Sequence, residues 1–365
     1  MGQELSAFGH PGQEGRLPSE RMTLGPPPVV PSRVVARRLN DVEALPGLFA
    51  RWEGDFHQLS RGRFDAAVRV AAGRFVRIFE VRSNQAILTR GLDHAGHVSF
   101  IPVTPDNEAC LWQRHRLEPG QLIAKGPDVA FHQQTSRDAT VRCLLVPEDT
   151  LREATIAFAR SELGAAARTW NALDPSHEVA GHFRAAMNRL LLESVRDPAL
   201  LASAEGRDLE QECLRRLVDV LAEGRATTGE GPGRRGDWHA LTQRAVTWLH
   251  DRLQEPVTAI DLCRELAVGD RVLRRAFRET YGMGPMAYLR VMRLHGAREA
   301  LKASRGTGAT VSDVARLWGF HRLGAFAAEY QRQFGERPSE TLGVRGWSGV
   351  QSMVRESLVD EGRTG

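Results

Sequence analysis

Residues 258–281 read TAIDLCRELAVGDRVLRRAFRETY, and their pattern predicts the fold of the C-terminal part of the chain. A first amphipathic helix is predicted from Thr258 to Ala267, with Thr258 as its N-cap. The side chains available for burial are Ile260, Leu262, Cys263 and Leu266. The turn Val268-Gly269-Asp270 follows, and a second helix then runs from about Asp270 to Tyr281. A short helix, a turn that contains glycine and a longer helix are the parts of a helix-turn-helix unit.

The second of these helices carries four arginines on one face. Arg271, Arg274, Arg275 and Arg278 are spaced i, i+3, i+4 and i+7, which places their guanidinium groups on one outward stripe. In a helix-turn-helix unit the second helix enters the major groove of DNA, where Arg is the side chain best suited to guanine. A solvated basic helix face is the alternative, and the preceding helix and turn favour contact with DNA.

The same arrangement recurs further along the chain. Thr310 or Ser312 is the predicted N-cap of a helix through Leu317, and Gly319-Phe320-His321 forms the turn. The next helix, from about Arg322 to Phe334, buries aromatic side chains at i, i+4 and i+8: Phe326, Tyr330 and Phe334. Two units in one chain permit two groove contacts.

A continuous helix is predicted between the two units, from Pro285 to Ala303. At 1.5 Å per residue this helix of 19 residues is about 28 Å long. That length approaches the roughly 34 Å between successive major grooves on one face of DNA. We therefore expect the two second helices to reach neighbouring grooves.

The rest of the chain divides by composition. Residues 1–31 contain six Pro and five Gly and predict a disordered arm. Residues 32–150 hold short segments rich in Val, Ile and Phe, which predict an antiparallel β sandwich or barrel acting as a sensor or dimerisation domain. Its clearest strands are residues 75–81, 86–89, 97–101 and 141–146.

Helical periodicity begins after this β-rich part. Residues 151–221 predict a helical connector whose helices pack either on the sheet or on a second subunit. The helices around Leu190 and Leu217 are candidates for the subunit interface of a homodimer. A flexible linker (222–236), an all-α DNA-binding domain (237–345) and a tail (346–365) follow. Residues 237–345 hold 17 Lys and Arg against 12 Asp and Glu, a net charge of +5, and the remainder carries −1. The positive charge therefore lies with the two helix-turn-helix units.

The segment from Leu241 to Leu342 resembles the AraC/XylS transcriptional regulators. The resemblance is carried by Tyr281-Gly282-Met283-Gly284-Pro285, Tyr288-Leu289, Arg293-Leu294, Val314-Ala315, Gly319-Phe320, Phe326, Tyr330 and Phe334-Gly335-Glu336-Arg337-Pro338-Ser339. It implies a regulator of double-stranded promoter DNA, usually an activator that contacts RNA polymerase. It also implies a sensing or dimerising domain in front, responsive to a small-molecule effector, and a cupin-like β-domain fits the strand-rich segment.

The second unit departs from this family in its predicted DNA-facing positions, which are Gly324, Ala325, Ala327, Ala328 and Gln331. Many members of the family carry polar or basic residues there, whereas in this chain only Gln331 can make a bidentate contact. We therefore expect direct reading of bases by the first unit and backbone positioning by the second. Arg322 and Arg332 are expected to contact phosphate.

Two other functions remain open at this stage. A cupin-type metalloenzyme with an accessory DNA-binding domain would gather the histidines of the β-rich domain, which are His94, His97, His115 and His132. The sequence lacks a clear HxH-type ligand motif, a GxSxG elbow, a Walker A loop, a GxGxxG fingerprint and an HExxH pair, so we predict no catalytic residue, metal or cofactor. In the second alternative, the protein senses no ligand and its N-terminal domain only dimerises.

Cysteine usage and hydropathy bear on the compartment. The four cysteines, Cys110, Cys143, Cys213 and Cys263, form no CxxC pair, which favours a reducing cytoplasm over a disulfide framework or a zinc site. No apolar run approaches the roughly 18 to 20 residues that a membrane span needs. We therefore expect a cytoplasmic protein without a membrane anchor.

Overall fold

The computed structural model describes residues 33–48, 53–92, 96–107, 110–112, 116–127, 130–159, 171–227 and 234–343. The predicted N-terminal arm (1–31) and C-terminal tail (346–365) lie outside the described residues. Within the described ranges, no helix has the length and apolar character to cross a membrane. We call the described residues up to 227 the N-terminal domain and those from 234 the C-terminal domain.

The N-terminal domain is built on two antiparallel sheets. Its strands are β1 (Arg33–Leu39), β2 (Glu53–Gln58), β3 (Ala66–Ala72), β4 (Arg77–Ser83), β5 (Ile87–Leu92), β6 (His97–Pro102), β7 (Leu111–Trp112), β8 (Leu122–Lys125), β9 (Ala130–Gln134), β10 (Ala139–Pro147), β11 (Asn171–Asp174) and β12 (Arg225–Thr227). The larger sheet has the order β1-β3-β4-β10-β6-β8-β11-β12, and the smaller has the order β2-β5-β9-β7. The predicted β-rich N-terminal fold is confirmed.

Strand β10 shows why the larger sheet is covered on both faces. It lies between β4 and β6, and alternate residues of a strand point to opposite faces. On one face Leu144 and Val146 join a core with the helices that follow the sheet. On the other face Cys143 and Leu145 pack in a cluster with Trp112 of the smaller sheet. Burial on both faces explains the nearly continuous apolar run of this strand.

The prediction of a helical connector over 151–221 is wrong in one respect. Helices α1 (Glu148–Ala159), α2 (His177–Arg196) and α3 (Ala204–Glu223) are present, but β11 interrupts them and pairs with β8. Of the two packings considered for these helices, the structure shows the one on the larger sheet. Leu190 and Leu217 are 1% and 0% exposed in the same core as Phe100, so these two side chains face the sheet. A subunit interface on other faces of their helices stays a prediction.

A buried carboxylate fixes α3 to the sheet. Glu210 accepts hydrogen bonds from the backbone N–H groups of the β3–β4 turn, at 2.9 Å from Phe75, 3.1 Å from Val76 and 3.3 Å from Arg74. Burial raises the pKa of Glu210, although these three donors oppose the shift. A Cβ on Gly73 would lie 2.1 Å from the Glu210 Oε1, so only glycine allows this approach. The helices therefore belong to the N-terminal domain.

The predicted flexible linker over 222–236 is wrong at both of its ends. Helix α3 continues to Glu223, and β12 follows at once, pairing with β11 as the edge of the larger sheet. The next helix, α4, begins at Arg234. Residues 228–233 lie outside the part of the chain that the structure describes.

The C-terminal domain is all-helical, as predicted. After α4 (Arg234–His250) come α5 (Ala259–Leu266), α6 (Asp270–Tyr281), α7 (Pro285–Ala303), α8 (Val311–Leu317), α9 (Leu323–Phe334) and α10 (Pro338–Gly343). Two apolar clusters fill it. The first core joins α4, α5 and α6 to α7 as far as Met292, and the second core joins α7 from Leu294 onward to α8 and α9.

Candidate nucleic-acid interface

The pairs α5–α6 and α8–α9, here called the first and second units, begin with the same hydrogen-bonded cap. The Thr258 hydroxyl accepts from the Asp261 N–H at 3.3 Å, while the Asp261 carboxylate accepts from the Thr258 N–H at 2.9 Å. Thr310 and Asp313 repeat the pattern at 3.2 and 3.0 Å. Of the two N-caps considered for α8, Thr310 is therefore the correct one. Each of these two reciprocal arrangements is a capping box, which satisfies two N–H groups that the helix itself leaves unpaired.

The turns of the two units also match in their backbone. The N–H of Val268 donates to the Cys263 carbonyl at 3.1 Å, and the N–H of Phe320 donates to the Ala315 carbonyl at 2.9 Å. In both, the preceding residue is left-handed: Ala267 has φ +54° and Gly319 has φ +77°. Gly269, which the sequence marked as the turn residue, has φ −75° and is the N-cap of α6. The strained position is thus occupied by alanine in the first unit and glycine in the second.

The buried faces of the second helices, α6 and α9, correspond residue by residue. Leu273, Phe277 and Tyr281 are buried in the first unit, and at the same spacing Phe326, Tyr330 and Phe334 are buried in the second. Both helices end at a left-handed glycine, Gly282 and Gly335. The predicted aromatic face of α9 is therefore a core and not a binding site. The prediction that Ile260 of α5 is available for burial is wrong, because the Leu262 and Leu266 face turns inward and leaves Ile260 62% exposed.

All four predicted arginines of α6 are exposed: Arg271, Arg274, Arg275 and Arg278. Two of them form ion pairs within the helix. Arg274 Nε donates to Asp270 at 2.7 Å, and Arg275 Nε lies 3.4 Å from Glu279. Exposed pairs of this kind contribute only about 0 to 1 kcal/mol, so DNA can replace the carboxylates at small cost. The stripe can therefore offer forked donors to bases and phosphates.

The exposed face of α9 carries mainly small, uncharged residues where α6 carries arginines. Gly324, Ala325, Ala328 and Gln331 are exposed, and Ala327 is half-buried. The predicted cations Arg322 and Arg332 are also exposed, Arg322 as the N-cap of α9 and Arg332 at 4.0 Å from Glu329. The structure thus groups the predicted site residues into two sets, one on each second helix.

Helix α7 supplies two arginines that were not predicted as site residues. Arg290 forms an ion pair with Glu329 of α9. Arg293 Nε donates to the Leu253 carbonyl at 2.7 Å, and its guanidinium also donates to the Glu255 carbonyl. Burial lowers the pKa of Arg293, and the charge on Arg290 adds to that shift. The spacing of these two arginines on α7 is not distinctive in the sequence. Their contacts with α9 and with the segment before α5 become evident in the folded structure.

The histidines weighed as metal ligands do not form a centre in the described part of the chain. His97 and His132 are described, whereas His94 and His115 lie outside the described residues. His132 lies against the ring of Tyr281, with 5.5 Å between centroids. No group of three His, Cys, Asp or Glu side chains suited to a metal ion occurs within the described ranges.

Comparison with known proteins places these units in a family. A family model described as a helix-turn-helix domain matches residues 262–343. The chain is 34% identical over 102 residues to the "Probable thc operon regulatory protein" of Rhodococcus erythropolis, covering 28% of this chain and 31% of that protein. It is 30% identical over 115 residues to the "XylDLEGF operon transcriptional activator 2" of Pseudomonas putida, covering 32% of this chain and 72% of that protein.

A solved structure is also similar. It is described as a probable AraC family transcriptional regulator from Rhodopseudomonas palustris, with 32% identity over 28% of this chain and 94% of that one, and a TM-score of 0.27. The chain spans less than a third of the Rhodococcus relative's length. The duplicated units and the match to most of the Pseudomonas activator agree with the residues that carry the resemblance. The chain belongs to the AraC/XylS family of transcriptional regulators.

Proposed function

We propose that the protein is a sequence-specific transcriptional regulator that binds duplex promoter DNA with α6 and α9 in successive major grooves. The observation that carries the proposal is the duplication of one capped helix-turn-helix frame, with both second helices exposed along the face opposite their cores. The helix between them, α7, has the 19 residues that reach from one groove toward the next.

The roles of the side chains follow from their chemistry. Arg271, Arg274, Arg275 and Arg278 read bases or bind phosphate in the first groove, because a guanidinium can pair with both guanine acceptors. Gln331 is the base reader of the second unit. Arg322 and Arg332 bind phosphate, so their loss weakens binding to all sequences about equally and reduces its salt dependence.

The N-terminal domain is proposed to sense a small-molecule effector and to assemble a homodimer, and the protein to act as an activator through RNA polymerase. The Pseudomonas relative is named a transcriptional activator, which supports this direction of control. A change in the thermal stability of the full chain with a candidate effector would separate a sensor from a domain that only dimerises. The metalloenzyme alternative has no supporting cluster among the described residues.

Selection of bound sequences from a randomised duplex library tests the proposal with the full chain. We expect one bipartite motif, with affinity that falls steeply as salt rises. The variant Arg274→Ala/Arg275→Ala should lose that motif. Arg215→Ala is the matched control, since Arg215 is also an exposed arginine paired with a carboxylate on its own helix, Glu212 of α3. Absence of any enriched sequence at low salt would overturn the proposed function.

A further inference from the structure

The two units meet through a narrow connection. Among the residues that the structure describes, their apolar cores are separate clusters that share only α7. Met292 is the last α7 residue in the first core, and Leu294 is the first α7 residue in the second. The ion pair of Arg290 with Glu329 and the contacts of Arg293 brace this connection from the C-terminal domain itself. The N-terminal domain adds a third brace, because it contacts both units and α7.

The contact with the first core is mostly apolar. Leu59 and Leu88 of the N-terminal domain are buried in the first core. Beside them, Arg90 Nη2 donates to His250 Nε2 at 3.0 Å, and that ring nitrogen also lies 3.1 Å from the Tyr288 hydroxyl. This surface holds α4 and the start of α7.

The contact with the second unit is a set of buried hydrogen bonds. Gln58 Nε2 donates to the Gln333 carbonyl at 2.9 Å, and Gln333 Nε2 donates to the Gln58 carbonyl at 2.8 Å. The N–H of Gly62 adds a third bond to the Gln333 carbonyl at 3.1 Å. A Cβ on Gly335 would lie 2.7 Å from the backbone nitrogen of Arg63, so the chains touch at the C-terminal end of α9. The exposed DNA-facing positions of α9 lie outside this contact.

The contact with α7 is electrostatic. Asp41 and Glu43, which we call the acidic pair, meet cations spaced along one face of α7. Arg298 Nη1 donates to Asp41 at 2.9 Å and to Glu43 at 3.0 Å, and Lys302 pairs with both carboxylates. Nη2 of Arg298 reaches Glu336, just beyond α9, at 3.0 Å. Arg298 therefore ties the acidic pair, α7 and the end of the second unit together.

Burial makes this cluster a strong constraint. The Arg298 side chain is 5% exposed and the Glu43 side chain 15% exposed. Burial alone would raise the pKa of Glu43, but hydrogen bonds with His295 and Asp41 and the charge of Arg298 hold it well below its usual range. Removing one side of such a cluster leaves a buried charge without its partner, which is far less favourable than losing an exposed pair.

We propose that the acidic pair positions the two DNA-binding units: by clamping α7 and the end of α9 it fixes the distance and rotation between α6 and α9. The inference rests on the proposed function, because it assigns a role in bipartite DNA binding. One base pair inserted between two half-sites moves them apart by about 3.4 Å and rotates one by about 35°. If the acidic pair fixes the two units, the protein should lose affinity for a duplex with that insertion. Without the acidic pair, the units can move to match the new spacing, and the loss should be smaller.

The test uses the full chain and its selected duplex, with zero, one or two base pairs inserted between the half-sites. We expect the wild type to lose affinity by about tenfold with one insertion, equivalent to about 1.4 kcal/mol. Asp41→Asn/Glu43→Gln should reduce that loss to below about threefold. Its affinity for a duplex with one half-site should stay at the wild-type value, because neither carboxylate is on a DNA-facing helix.

Asp65→Asn is the matched control. It breaks the ion pair with Arg38, which joins two parts of the N-terminal domain at 2.6 Å and lies on its surface. Its spacing profile should equal that of the wild type. Lys302→Met removes a cation of the same cluster from the α7 side, and it should also reduce the loss of affinity caused by one inserted base pair. If Asp41→Asn/Glu43→Gln shows no cooperative unfolding transition and is therefore not folded, Lys302→Met provides the test.

The outcomes separate the two proposals. A wild type that selects no sequence removes the proposed function and this inference with it. The inference alone is overturned if the wild type selects a bipartite site and the insertions reduce affinity equally in the wild type, the acidic-pair variant and the Lys302 variant. Tighter binding of the variants at the original spacing also overturns it, because the cluster would then restrain DNA binding rather than position the units.

Discussion

The two helix-turn-helix units differ in surface chemistry while sharing one frame. Both have a Thr-Asp capping box, a left-handed residue in the turn, three large buried side chains and a left-handed glycine at the end of the second helix. On that frame, α6 presents an arginine stripe, whereas α9 presents mainly glycine and alanine. Burial and capping therefore set the frame, and they leave the exposed face free to vary.

The N-terminal domain also meets the two units in different ways. It inserts leucines into the core of the first unit, and it holds the second through paired amides and buried charge. Apolar contact depends little on direction, whereas hydrogen bonds and ion pairs fix geometry. The contact with the second unit therefore consists more of directional interactions than the contact with the first.

The largest expected effect tests the shared frame. Phe277→Ala and Phe326→Ala each remove a ring that is 0% or 1% exposed, so each should lower the free energy of unfolding by about 3 to 5 kcal/mol. Urea unfolding followed by circular dichroism measures it. Ile260→Ala is the control, because this exposed side chain should change stability by less than about 0.5 kcal/mol. A large loss at one phenylalanine and a loss no greater than the Ile260→Ala control at the other would contradict the correspondence between the two cores.

The next effect tests the difference between the exposed faces. Arg275→Ala should cost roughly 1 to 3 kcal/mol of binding and relax the preference at one base position. Ala328→Ser, on the corresponding face of α9, should change the selected motif much less. Site selection on wild type and both variants is the measurement. A motif unchanged by Arg275→Ala but altered by Ala328→Ser would show that the second unit is the direct reader.

A smaller effect tests how the first unit meets the N-terminal domain. Burial and the charge on Arg90 lower the pKa of His250 to about 4. The folded state therefore favours neutral His250, and its stability is complete above the unfolded pKa of about 6.5 and falls as the pH drops toward 4. Between pH 7.5 and 5.5 the loss from this group should be about 1 kcal/mol.

Thermal unfolding at several pH values measures that loss. His250→Gln keeps an acceptor for Arg90 but cannot take up the proton, so its unfolding midpoint should fall less over the same interval. His57 lies near His250, with 6.5 Å between ring centroids, and burial holds its pKa well below its usual range, so it adds a loss of the same sign in both proteins. An identical pH dependence in the two proteins would exclude His250 as its source.

The smallest effect compares the two turns. Gly319→Ala puts a side chain at φ +77° and 3.1 Å from the Arg293 guanidinium, and should destabilise by about 1 kcal/mol. Ala267→Gly relieves the same backbone strain but frees the unfolded chain, so stability should change by less than about 0.5 kcal/mol. Urea denaturation curves of the wild type and both variants measure these two changes in the free energy of unfolding. A loss at Ala267→Gly as large as that at Gly319→Ala would show that the turns are not equivalent.

The helices of the C-terminal domain follow from local chemistry. The predicted bounds of α6 and α7 are those observed, and α9 begins one residue later than predicted. Caps, a left-handed glycine and a proline at a first turn act within a few residues, so their pattern can be recognised in the sequence. The aromatic spacing of α9 likewise identified its core, and the exposure of the α6 arginines followed from the same period.

The surfaces that those elements contact depend on tertiary packing. Periodicity showed that Leu190 has a buried face, but it did not show that the sheet covers it. Strand β11 has four residues and no distinctive pattern, since its place depends on pairing with β8 and β12. Gln58 and Gln333, far apart in sequence, form a buried pair that no local pattern marks. Capping and helical period depend on residues a few positions apart in the chain. The residues that bury one another, and the ion pairs between the acidic pair and α7, are far apart in the sequence and meet only when the chain folds.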